Sequence, residues 1–245
     1  MRDNVGKGLT HEVEATSVLN RLRSLADADT VKGMASFGIN TKNALGVSMT
    51  AIRKLAGEIG REHELAIQLW RTGIHEARIL AALVDDPGQV TEDQMERWVK
   101  DFDSWDVCDQ VCGSLFDRTP MAYAKAIEWS AREEEYVRRA GFVLMATLSV
   151  HDKKADDGKF LQFLPIIKKR AEDERNYVKK AVNWALRQIG KRSIPLNAEA
   201  LRAAEDILKM GAKSARWIAS DAIRELDSGA VQDMIRKKER KSSGR

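Results

Sequence analysis

Residues 136–150 read YVRRAGFVLMATLSV, and residues 177–191 read YVKKAVNWALRQIGK. The two stretches begin 41 positions apart and share an aromatic, a valine, a basic pair and an alanine. Both carry apolar residues at helical spacing rather than the alternation of a strand. A helical unit that recurs at a fixed interval buries its apolar face by stacking on its own copies.

Working outward, WIASDAIREL from Trp217 is a weaker third copy, in which Ala222, Ile223 and Arg224 match Ala185, Leu186 and Arg187. A period of about 40 residues leaves room for two helices per unit, the pattern of HEAT-like solenoids. The sequence therefore predicts an all-α chain, a HEAT-like helical-repeat solenoid with a concave basic face lined by alternate helices. One continuous domain is expected over residues 1–235, with a less regular portion over 1–60. The basic end RKKERKSSGR (236–245) reads as a disordered tail. Helix starts are placed by a capping box at Thr91 and Gln94, a cap at Ser104, Thr119 before Pro120, and Asn197 at the opening of a later helix.

Composition narrows the class. At 245 residues and 43% hydrophobic, the chain has enough apolar material for a substantial core. No stretch reads as a secretory signal or reaches membrane-spanning length, so a cytoplasmic, soluble protein is expected. Cys108 and Cys112 lack the spacing of a metal or redox motif, and His11, His63, His75 and His151 are scattered, so no metal is predicted. Charge is uneven: residues 1–130 hold 15 Lys+Arg against 20 Asp+Glu, whereas residues 131–195 hold 15 against 9. The basic later part suits a polyanionic partner, and a solvated lysine-rich surface is the alternative.

One motif stands apart from the packing pattern. In DFDSWDVCDQVC (101–112), Trp105 and Asp109 are four apart and share one face of a helix. A core-facing stripe does not call for aspartate there. An indole beside a carboxylate suits a cationic ligand: the ring attracts positive charge through its π face, and the carboxylate by Coulombic complementarity.

With LGVSMTAIRKLA (45–56), SWDVCD (104–109), YVRRAG (136–141) and KKAVNWALRQ (179–188) taken together, the chain resembles the AlkD-like DNA alkylation-repair glycosylases, built from HEAT-like repeats. The resemblance covers roughly residues 30–225 and is weak in the N-terminal helices, where the LGVS loop alone is recognisable. It implies that Trp105 and Trp184 flank the sugar of a damaged nucleotide, that Asp109 is the catalytic carboxylate, and that Arg139 contacts a phosphate. It further implies a monofunctional enzyme without metal or organic cofactor, acting on N3- or N7-alkylated purines in double-stranded DNA. Lys179, Lys180, Arg187 and Lys191 become secondary candidates for backbone contact, as do Lys153 and Lys154 in the SVHDKKADD loop. A monomer is expected.

Other readings compete. The same fold could bind bent or branched DNA without excising anything, or serve as a scaffold for protein partners. Trp105 alone would more often be a core residue. Arg138 and Arg139 could be solvated charges, and His75 with Glu76 reads as no more than a helix opening. Trp70, Trp98, Trp129 and Trp217 are read as packing residues, since no carboxylate at the matching spacing has a counterpart in that family.

Overall fold

The structure, a computed structural model, describes residues 15–243; the expected irregularity of residues 1–14 and the last two residues of the tail lie outside them. Among the described residues there is no strand, as the helical periodicity predicts. No helix among them is long and apolar enough to cross a membrane.

Where the sequence reading expects one continuous domain, the chain divides into two compact units between Thr119 and Pro120. The break has a local cause. Thr119 is extended, at φ −83° and ψ 153°; proline pushes the residue before it out of the helical region and brings no amide hydrogen of its own. Thr119 therefore caps nothing, and its hydroxyl donates back to the Phe116 carbonyl at 2.8 Å.

The first unit contains α1 (15–24), α2 (Ala28–Ser36), α3 (Met49–Ile59), α4 (His63–Arg71), α5 (His75–Val84), α6 (Glu92–Lys100) and α7 (Trp105–Ser114). Helix α5 packs against α3, α4 and α7. Behind it, Trp70 of α4 stacks on Trp98 of α6 with ring centroids 3.9 Å apart, and Phe102 and Phe116 close the cluster. The LGVS loop is cinched to α5: the buried Glu76 carboxylate accepts the amide hydrogens of Leu45, Gly46 and Val47 at 2.8, 2.7 and 3.3 Å. Gly46 is required there, because its φ is +80° and a β-carbon would lie 2.1 Å from the Asp27 carbonyl oxygen.

The second unit contains α8 (Ala122–Ala131), α9 (Glu135–His151), α10 (Gly158–Leu161), α11 (Phe163–Arg170), α12 (Asn176–Gly190), α13 (Ile194–Leu208), α14 (Lys213–Leu226) and α15 (Gly229–Ser243). Helices α9, α12 and α14 lie side by side, with α8, α11 and α13 behind them. The sequence repeat is thus the pairing of α8 with α9, α11 with α12 and α13 with α14. Tyr136 and Tyr177, the aromatics that open the two best copies, stack at 5.5 Å. The stretch read as a disordered tail is helical to Ser243: α15 buries Val231 and Ile235, and Lys238 donates to the Lys191 carbonyl at 2.9 Å.

Two further caps differ from expectation. Ser104 precedes α7, but its hydroxyl bonds the Asp106 carboxylate at 2.5 Å rather than a helix amide. Helix α13 opens at Ser193, whose side chain accepts from Leu196, so Asn197 lies inside it and donates to the Gly190 and Leu226 carbonyls. At Thr91 half of the capping box is present: the hydroxyl accepts from Gln94, whose own amide turns to Asp85 at 2.6 Å.

Candidate functional site

The four principal candidates fall in both units, Trp105 and Asp109 on α7 of the first, Arg139 on α9 and Trp184 on α12 of the second. Helix α7 seats Val107, Cys108, Val111 and Cys112 in the core. That stripe leaves Trp105 and Asp109, one turn apart, half-buried on another face. The Trp105 indole is not swallowed by the interior. Its ring N–H donates to the carbonyl of Phe37, the residue that ends α2, at 3.1 Å.

What steadies the start of α7 is a pair the sequence reading missed. Buried His75, the first residue of α5, places Nε2 2.8 Å from an oxygen of Asp106, the neighbour of Trp105. Burial pulls the His75 pKa down, but the Asp106 carboxylate, with Glu76 and Asp103 nearby, outweighs it, and the net direction is up. Asp106 is likewise raised by burial yet ends below the ordinary carboxylate range, chiefly through the His75 hydrogen bond. Each shift favours the charged form of its group, and the Asp106 carboxylate is seated at the positive end of α7. The two residues are 31 apart in sequence, and no local pattern announces them. Nearby, Asn40 donates to Asp103 at 2.8 Å and Arg78 reaches the Asp101 carbonyl at 2.9 Å, fastening the loop after α2 and helix α5, respectively, to the approach to α7.

In the second unit, Arg138 and Arg139 are both buried, contrary to the reading of either as a solvated charge. Arg138 binds Asp173 at 2.8 Å and Glu133 at 2.9 Å. Burial would raise Asp173, but Arg175 and Arg138 bring it down to about 2. Arg139 donates to the Tyr177 carbonyl at 2.6 Å, which ties α9 to the first turn of α12. Trp184 is half-buried on α12, one turn beyond exposed Lys180.

The secondary candidates separate by partner. Lys180 is exposed, as are Lys153 and Lys154 on the turn after α9. Lys179 lies 5.4 Å from the ring centre of Trp217. Arg187 and Lys191 instead share Glu225: Lys191 sits 2.7 Å from one oxygen and Arg187 bonds the other, with Asp221 also 3.6 Å from Arg187. Burial and then the charges of Arg192, Lys191 and Lys153 hold the Lys238 pKa below its ordinary value, which marks a basic cluster at the ends of α12 and α15. Arg192 and Lys238 were not singled out from sequence, because their proximity depends on the helical continuation of α15. Of the four tryptophans read as packing residues, Trp70, Trp98 and Trp129 are buried, but Trp217 is 42% exposed.

Cys108 and Cys112 are buried and form no disulfide, and burial pushes the Cys112 thiol well up, away from nucleophilic use. Among the described residues, no group of His, Cys, Asp and Glu could hold a metal ion.

The chain matches the family model described as DNA alkylation repair enzyme over residues 18–226. A solved structure similar to it is described as belonging to a new family of proteins related to the HEAT-like repeat DNA glycosylases with affinity for branched DNA structures. The two share 24% identity, with a TM-score of 0.70 over 78% of this chain and 81% of the other, a likeness of fold alone. Comparison with curated proteins found no match.

Proposed function

Because the chain belongs to the DNA alkylation repair enzyme family, we propose that it is a monofunctional DNA glycosylase hydrolysing the N-glycosidic bond of N3- or N7-alkylated purines in duplex DNA. The observation that carries the reading is the half-buried Trp105 and Asp109 side by side on α7, outside the stripe that forms the core.

The chemistry follows from the substrate. An N3- or N7-alkylated purine is already cationic. As the bond from C1′ to the ring nitrogen breaks, its electron pair goes to the base, which leaves neutral. Positive charge develops on the sugar, and the oxygen of water closes on C1′, losing a proton. Asp109 stabilises that charge and orients the water, an interaction stronger in the transition state than before it. The indole of Trp105 offers a π face to the same cation. Arg139 holds a flanking phosphate, its guanidinium braced by the Tyr177 carbonyl. The products are the free base and an abasic site. No resident metal or organic cofactor enters the mechanism. The protein is proposed to act as a monomer in the cytoplasm, on the cell's DNA.

The test is release of free base from a duplex bearing a methylated purine, by the native chain and by Asp109→Asn. The variant should lose at least about a hundredfold in rate, the scale of one lost transition-state contact, while its affinity for the duplex changes little. Binding without release by the native chain would replace this reading with a second one, favoured by the solved relative whose family has affinity for branched DNA: a module that binds DNA and excises nothing.

A further inference from the structure

Trp217 is the one tryptophan of the described six whose exposure reaches 42%, and nothing in the packing of α14 requires an indole there. That helix is seated by Ser214, Ala215, Ile218, Ala219, Ala222 and Leu226, a complete apolar stripe at three- and four-residue spacing. Trp217 stands on the flank of the stripe.

Its surroundings say what it meets. The Lys179 ammonium lies 5.4 Å from the ring centre. Lys213 lies one turn before Trp217 on the same helix face, Arg216 precedes it, and Lys180 follows Lys179; all three are exposed and form no ion pair among the described residues. Two carboxylates stand nearby, and both have hydrogen-bond or ion-pair partners in the fold. Glu174 accepts the Ser214 amide at 2.9 Å, and Asp221 pairs with Arg187 and Arg224. The result is an exposed aromatic plate with Lys179 at its ring and further exposed cations on the same two helices, of which Lys179 and Lys213 also feel the Glu174 carboxylate. Duplex phosphates would need the cations but not the plate, since the bases of a duplex present their faces to one another. An apolar protein surface would need the plate without the cations. An unpaired nucleotide needs both: a base face to stack and a phosphate to neutralise.

We propose that Trp217, with Lys179, Lys180, Lys213 and Arg216, is a binding site for an unpaired nucleotide of DNA, the base stacking on the indole and its phosphates meeting the surrounding cations. The site deepens the nucleic-acid reading above and is independent of any bond cleavage by Asp109. It gives the second unit a means of choosing DNA that carries single-stranded bases, such as a flap or fork, over a blunt duplex.

The experiment compares the full chain with Trp217→Ala and Trp217→Phe by titrating a blunt duplex and the same duplex carrying a short unpaired flap. Base release from a fully paired methylated duplex is measured alongside, and a thermal melt checks folding. The native chain should bind the flap about tenfold more tightly than the blunt duplex, the scale of one lost stacking contact. Trp217→Ala should erase that preference, Trp217→Phe should restore part of it, and blunt-duplex affinity should stay unchanged. The proposal is overturned by the absence of a flap preference in the native chain, by a preference that survives Trp217→Ala, or by equal losses on both DNAs. A flap preference sensitive to Trp217 without base release would sink the glycosylase reading alone; base release with no role for Trp217 would sink this one alone. If neither DNA binds, both fall.

Discussion

His75 and Asp106 illustrate how much of the site's rigidity is set by residues that carry no motif. Their hydrogen bond joins the first residue of α5 to the residue beside Trp105. Because the folded pKa of His75 is raised, its contribution is complete below the unfolded value of about 6.5 and is lost as pH rises through the folded one. Asp106 is lowered, so its contribution is present above about 3.9 and is lost as pH falls through its folded value. His75→Gln should therefore destabilise the protein by about 3 kcal/mol at mildly acidic pH. Urea denaturation at a series of pH values should show the gap between native and variant closing toward alkaline pH. A gap independent of pH would mean that the ring is held neutral. The local sequence revealed Trp105 and Asp109, since their relation is a spacing of four on one helix. It could not reveal His75 with Asp106, or the burial of Arg138 and Arg139, because a partner 31 or 38 residues away is a fact of packing.

At the scale of elements, the repeat was legible where both copies obey the same constraints. YVRRAG and YVKKAV each open a helix that is packed on several sides, and these helices are α9 and α12. The third copy was faint because α14 is seated by alanines and isoleucine, which leave little to align, while its aromatic is turned outward. The ends of elements were less legible. Ser104, Thr119 and Asn197 all have the chemistry of caps, yet the side chain of each bonds a different partner. The pairing of α8 with α9 rests on Gly141. A β-carbon there would come within 2.4 Å of the Ser130 amide nitrogen and 2.9 Å of the Ala126 carbonyl oxygen, both backbone atoms of α8 that cannot rotate away. Gly141→Ala should thus cost about 2 kcal/mol through overpacking, against the roughly 1 kcal/mol that alanine gains over glycine within an isolated helix. A lowered melting temperature is the expected reading. An unchanged or raised one would show that α8 can shift without loss.

Across the whole molecule, charge follows the division into units. Residues 1–119 hold 14 Lys+Arg against 19 Asp+Glu, and residues 120–245 hold 27 against 18. The excess of cations in the second unit overstates what a polyanion meets, because some are already neutralised within the fold. Arg187 and Lys191 share Glu225, whereas Lys180 is exposed on the same helix without such a partner among the described residues. Each phosphate neutralised contributes about 0.9 to the slope of log affinity against log salt. Lys180→Ala should flatten that slope by about one contact, uniformly across DNA sequences. Arg187→Ala should leave it nearly unchanged, since the lost cation was compensated before DNA arrived. Glu225→Gln, by releasing two cations at once, should steepen the slope and tighten binding at low salt. Titrations at several salt concentrations measure all three. If Arg187→Ala flattens the slope as much as Lys180→Ala does, the Glu225 pairs must open when DNA binds, and both cations then belong to the interface.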